Sequence, residues 1–203
     1  RLAAEMGYIY VDTGAMFRTI GLYALRKGVD PKDNAAVNTL LPEIGLRVDC
    51  IDGEQHIYLN GEDVSSAIRT EEAGMAASAV GANPEVRAFL LELQRDQARR
   101  RSVIMDGRDI GTVVLPDATV KIFLTAAPEV RAMRRCRELE QRGTPQPYEQ
   151  VLRDIVDRDW ADSHRDIAPL CKAEDAVELD TGALTFDESL RLLLDTIRRR
   201  AGL

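Results

Sequence analysis

Asp106-Gly107-Arg108-Asp109 follows a short apolar run, Ser102-Val103-Ile104-Met105. The pattern is a buried strand that ends on a carboxylate and breaks at a glycine. In an open α/β sheet, ligands bind outside the carboxyl ends of the strands. Many nucleotide-phosphate enzymes place a carboxylate near Mg2+ in this way. Arg108 suits bidentate recognition of phosphate. Asp109, Gly111 and Thr112 continue the polar stretch. The plain alternative is a turn that merely closes a strand, and one such motif leaves the two readings evenly matched.

Two further constellations bear on the choice. Tyr8-Ile9-Tyr10-Val11 reads as another short buried strand, followed by the turn Asp12-Thr13-Gly14 and an amphipathic helix. Thr13 is expected to cap that helix, and a helix N-terminus attracts anions. Arg18 lies about one and a half turns inside, close enough to reach over the same crevice; otherwise it is a solvated charge. Arg158, Asp162 and Arg165 share one helical face if the helix persists. Two arginines flanking a carboxylate can hold a phosphate and order a ribose hydroxyl. On its own, that face is better read as an exposed ion pair worth a few tenths of a kcal/mol.

The elements that must position these groups follow from periodicity and punctuation. Strand-like runs fall at 8–11, 46–50, 56–59, 102–106, 119–124 and 176–180. Helical patterns fall at 14–27, 35–43, 71–80, 84–100, 128–141, 148–160 and 186–200. Asn83-Pro84 supplies an N-cap and a first-turn proline, and Pro128 opens another helix. Gly143 stops that helix. Thr185 and Glu188 form a capping box. Strands alternating with helices indicate a parallel α/β sheet. Residues 46–59 depart from this: two alternating runs around Asp52-Gly53 read as a β-hairpin insertion.

In order and spacing these segments resemble bacterial cytidylate kinase, a nucleoside-monophosphate kinase of the P-loop superfamily. The resemblance is carried by VDTGAMFR at 11–18, NGEDVSSAIRT at 60–70, MDGRDIGTVVLPDATVKIFLTA at 105–126 and RDWADSHRDIAPL at 158–170. It runs from residue 1 to the C-terminal helix. It implies an α/β fold with a P-loop kinase-type parallel sheet, strand order 2-3-1-4-5, flanked by helices and carrying a small β insertion. Residues 1–40 and 102–203 would form the kinase core, with a lid region at about 128–165. Residues 41–101 would form the monophosphate-binding region. No G-x-x-x-x-G-K-[ST] occurs in the sequence. The family carries that loop after its first strand, so the central strand 1 and the loop are expected to be absent and the chain as written inactive.

The implied reaction moves the ATP γ-phosphoryl group to CMP or dCMP, with Mg2+ accompanying ATP. The acceptor is already an oxyanion, so catalysis is positioning and charge stabilisation. The resemblance implies that Arg18, Arg108 and Arg165 hold the CMP phosphate beside Thr13. Arg158 and Asp162 would contact the sugar, and Ser78, Arg87 and Asp109 the cytosine; the alternative for Asp109 is to brace Arg108. Asp106 would meet Mg2+ through water, with no direct metal ligand. Arg131, Arg134 and Arg135 would serve ATP, Arg131 by stacking on adenine. The catalytic set would be Asp106, Arg108 and Arg131. Ala161 stands where the family often has another arginine.

Composition narrows the classes. At 203 residues the chain fits one domain with elaborations, or at most two, and its net charge of −7 gives no basic footprint for nucleic acid. No apolar run approaches a membrane span. Cys50, Cys136 and Cys171 form neither a disulfide framework nor a zinc pattern. His56 and His164 stand isolated in sequence and form no nucleophile–base pair. A cytoplasmic monomer is expected. The other readings are a non-catalytic CMP-binding module and a P-loop kinase of another small-molecule class.

Overall fold

The computed structural model describes residues 1–51 and 53–203. The chain divides into two units, Arg1–Ile110 and Gly111–Leu203. The sequence division instead set 41–101 apart from 1–40 and 102–203.

The first unit begins with α1 (Leu2–Met6), β1 (Ile9–Asp12) and α2 (Thr13–Arg26). Then come α3 (Asn34–Leu40), β2 (Leu46–Ile51), β3 (Glu54–Leu59) and β4 (Glu62–Asp63). It closes with α4 (Glu71–Val80), α5 (Pro84–Arg100) and β5 (Val103–Asp106). β1 and β5 pair in parallel with Asp12 opposite Asp106. That register brings both strand-ending carboxylates to one end. β2, β3 and β4 form an antiparallel sheet, so the inserted hairpin expected at 46–59 is present. Its turn residue Asp52 lies outside the described residues.

α2 is the hub of this unit. Its buried face carries Ala15, Met16, Ile20 and Ala24, the i, i+4 recurrence of a core-facing helix. These join Val37, Ile57, Val64, Val80, Val86 and Leu90 in one cluster. α2 and α4 approach closely at Gly21, where a Cβ would stand 2.7 Å from the Ala76 Cβ. Glycine at this point sets the α2–α4 spacing.

The second unit contains β6 (Ile122–Thr125), α6 (Pro128–Gln141), α7 (Tyr148–His164), β7 (Val177–Asp180) and α8 (Phe186–Ala201). β6 and β7 pair in parallel. α6 and α7 pack through Ala132, Leu139 and Val151, with Cys136, Tyr148, Leu152 and Ile155 around them. Thr185 and Glu188 make the reciprocal capping box expected at the head of α8.

The parallel α/β character agrees with the sequence reading. The parallel strands pair as β1 with β5 in the first unit and β6 with β7 in the second. Periodicity marks strands one at a time; which edges meet depends on contacts far apart in sequence. Smaller differences have local causes. α3 gives way at Leu41 to a 3-10 turn containing Pro42, since proline cannot donate to the preceding turn. α7 runs to His164 rather than 160. Its last residues, Ala161 to His164, include no large apolar side chain, so apolar spacing could not trace them.

Candidate active site

In the first unit the site is built on the paired ends of β1 and β5. The expected cap of α2 was Thr13; the structure gives that role to Asp12, whose Oδ1 accepts from the Ala15 N–H at 3.0 Å. The Asp12 Oδ2 pairs with the Arg18 Nη2 at 2.5 Å. One carboxylate thus starts the helix and orients an arginine from its second turn. Thr13 is buried, and its hydroxyl donates to the Asp106 carbonyl at 2.7 Å. That bond ties the head of α2 to the end of β5. Gly107 makes the approach possible: a Cβ there would lie 2.5 Å from the Thr13 Oγ1.

Arg18 retains an Nε that is buried without a hydrogen-bond partner among the described residues. A buried unsatisfied donor costs about 1–3 kcal/mol, and such exceptions mark sites where a further group completes the bonding. Asp106 keeps solvent access at the end of β5, yet the partial burial of its carboxyl pushes it above its ordinary range, and the neighbouring Asp12 charge adds to this. A hydrogen bond from Tyr10 and the charges of Arg108 and Arg18 pull it back. The Tyr10 hydroxyl is itself pushed upward by burial and by Asp106 and Asp12, so it keeps its proton and donates to Asp106.

The raised Asp106 has a consequence for stability. A carboxyl whose folded pKa exceeds its unfolded value contributes stability at acid pH and loses it as pH rises through the folded value. Asp106→Asn removes the charge and keeps an acceptor for Tyr10. It is expected to melt above wild type at neutral pH, with the gap closing toward acid pH. Thermal melts across that range check it; equal melting temperatures throughout would contradict it.

A second cluster in the same unit joins the end of α4, α5 and the segment after β5. Asp109 and Arg87 form an ion pair whose side chains are both largely buried. Arg87 also donates to the Gly81 carbonyl at 2.8 Å, and its guanidinium sits 5.4 Å from the Phe17 ring centre. Ser78 is half-buried on the last turn of α4, just before Gly81. Arg108 is exposed beside Asp106, which feels its charge.

In the second unit Asp162 is buried between two arginines. Arg165 Nη1 stands 3.4 Å and Arg158 Nε 3.8 Å from its carboxylate. α7 does not persist through Arg165, which is the extended residue after the helix. Arg165 also donates to the Ala168 carbonyl at 2.8 and 2.5 Å. Arg131 pairs with Asp159 through both carboxylate oxygens and donates to the Ala126 carbonyl at 2.9 Å. Arg134 reaches the Thr181 carbonyl at 2.5 Å and the Leu184 carbonyl at 3.1 Å, fastening the loop before α8. Arg135 pairs with Glu138 within its own helix.

Sequence reasoning did not single out Asp12, Tyr10, Gln55 or Asp159. An Asp directly before a helix is itself a capping signal and could have found Asp12. Asp159 had no such signal, because its partner Arg131 is 28 residues away. His56, read as isolated, pairs with Asp63 at 2.8 Å across the β3–β4 hairpin. Hydrogen bonds from Ser65 and that histidine hold the Asp63 carboxyl down at about 2. Among the described residues no group of three or more His, Cys, Asp or Glu side chains is placed to hold a metal ion. Among them, too, no helix is long and apolar enough to cross a membrane.

Comparison with known proteins bears on this geometry. The family model described as cytidylate kinase matches residues 1–199. A cytidylate kinase of Fervidobacterium nodosum is 48% identical over 199 residues, covering 98% of this chain and 89% of the relative. One from Mycobacterium leprae is 48% identical over 202 residues, covering 99% and 89%. One from Lactobacillus gasseri is 47% identical over 199 residues, covering 98% and 86%. The expectations of a missing strand and phosphate loop, and of inactivity, are not borne out by these matches, which span most of each relative. With a family-wide match over almost its whole length, the chain belongs to the cytidylate kinase family.

Proposed function

We propose that the protein transfers the γ-phosphoryl group of ATP to CMP or dCMP, giving the nucleoside diphosphate. The observation that supports this best is the Asp12–Arg18 pair beside Asp106, with a buried arginine donor still unsatisfied. A guanidinium fixed by a carboxylate at a helix head is suited to an anion. The acceptor phosphate needs no base, so the site requires charge and alignment only.

Within this reading Arg18, Arg108 and Arg165 hold the acceptor phosphate, and Thr13 fixes the frame that carries Arg18. Arg158 and Asp162 take the sugar. Ser78, Arg87 and Asp109 read the base: cytosine presents an amino donor and two acceptors, which match a carboxylate and a guanidinium. Arg131 serves the donor nucleotide, its guanidinium set by Asp159. Arg134 and Arg135 support that region through the contacts they already make.

The donor set fits Mg2+. Asp106 and Asp12 are hard oxygen donors at matched strand ends, and Mg2+ is commonly bound by one or two carboxylates plus substrate phosphates and waters. Asp106 would hold it through water. When bound, the ion supplies neutralisation of phosphate charge.

The test is an ADP-release assay with CMP, dCMP, UMP, AMP and GMP as acceptors. Turnover is expected for the two cytidine nucleotides above the rest. No turnover of either would overturn the proposal.

A further inference from the structure

The inserted hairpin reaches the phosphate-binding end of β1 through one side chain. Gln55, on β3, accepts a hydrogen bond from the Asp12 N–H at 2.7 Å through Oε1. Its Nε2 donates to the Asp12 carbonyl at 3.2 Å. We propose that Gln55 is a positioning residue for Arg18, its carboxamide bracketing the Asp12 main chain and so setting the Asp12–Arg18 pair. This rests on the reading of Arg18 as a ligand of the acceptor phosphate.

The geometry of β1 explains why a bracket is needed. Alternate residues of a strand direct their backbone groups to opposite edges. The Ile9 N–H bonds the Ser102 carbonyl on the β5 side, so Asp12, three residues on, faces the other edge. No strand partner is paired with β1 there among the described residues. A primary amide carries a donor and an acceptor in one plane, and Gln55 meets both groups of Asp12 as a neighbouring peptide would. Beside it lies a cavity of about 290 Å³ bounded by Tyr10, Val11, Val48, Gln55, Gln97 and Arg101.

The bracket acts on the site through Asp12. Its side chain caps α2 with one oxygen and pairs with Arg18 through the other. Displacing the Asp12 backbone displaces both contacts. The β insertion is thereby part of the acceptor site, although no insertion residue had been assigned to it.

The test compares wild type with Gln55→Met, which keeps length and removes both bonds, and Gln55→Glu, which replaces the donor with an acceptor. Each should raise KM for CMP roughly three- to tenfold, the worth of about one hydrogen-bonded contact. KM for ATP should stay near wild type. Amide exchange at Asp12 should accelerate in Gln55→Met, which removes the acceptor of its N–H. In an Arg18→Ala background, Gln55→Met should add nothing further to KM for CMP, because both changes remove one coupled unit. Additive losses in that background would overturn the proposal. So would an unchanged KM for CMP in both single variants while wild type turns CMP over. Failure of wild type to phosphorylate CMP would instead overturn the functional reading, and this inference with it.

Discussion

Arg18→Ala should lower kcat/KM for CMP by at least tenfold while the protein stays folded. A hydrogen bond to a charged group is worth roughly 1.5–3 kcal/mol, and about 1.4 kcal/mol is a factor of ten. The side chain lines the head of α2 rather than the core, retaining 20% of its surface. Asp12 keeps its cap on the Ala15 N–H after the change, so the helix start survives. Loss of Arg18 also removes a charge that draws the Asp106 carboxyl downward. The acid limb of the pH–rate profile should therefore move up. Arg108→Ala should show a similar loss of efficiency. Arg165→Ala should lose stability as well, because Arg165 also holds the Ala168 carbonyl. Steady-state kinetics beside thermal melts check these outcomes. A sharp fall in melting temperature, with unchanged activity per folded molecule, would make Arg18 structural.

Asp109→Asn should narrow the preference for CMP over UMP, mainly by losing efficiency with CMP. In the proposed site the carboxylate accepts from the cytosine amino group. Uracil places a carbonyl oxygen there, which a carboxylate repels and an asparagine amide can meet. A well-made base contact discriminates by about 1–3 kcal/mol, by analogy with groove readout. The structure adds a condition. Asp109 is 6% exposed and paired with Arg87, and removing one member of a buried pair costs about 3–5 kcal/mol. Asparagine keeps an oxygen for Arg87, so it should melt closer to wild type than Asp109→Leu. Measuring kcat/KM for both nucleotides decides the matter. An unchanged CMP/UMP ratio would rule out base reading and leave Asp109 as a brace for Arg87.

What the sequence determined by itself was local. Asn83 before Pro84, Thr185 three residues before Glu188, and the apolar spacing of α2 and α5 each dictate an element through neighbours within one or two turns. The DGRD stretch at 106–109 announced a strand-end site for the same reason: apolar run, carboxylate, glycine and arginine are contiguous. The family was legible too, because its segments recur in order along the chain. The Arg158–Asp162–Arg165 cluster was half legible; helical spacing predicted the contacts, but the helix ends before Arg165.

Tertiary structure decided the rest. The parallel pairing of β1 with β5 sets Asp12 opposite Asp106, although 94 positions separate them in the chain. That register, and not either motif, creates the carboxylate pair, in which the Asp12 charge adds to the burial that raises Asp106. Asp109 takes Arg87 as a partner, 22 residues away. Gln55 grips Asp12 across 43 residues. Asp109 was legible as a candidate but its pairing with Arg87 was not, and Gln55 left no trace, because hydrogen bonds and ion pairs are satisfied by whatever the folded chain brings within about 3 Å. Helices and strands arise from near neighbours and so leave a periodic trace in the sequence. A site arises from distant ones, and its geometry exists only once the chain has closed.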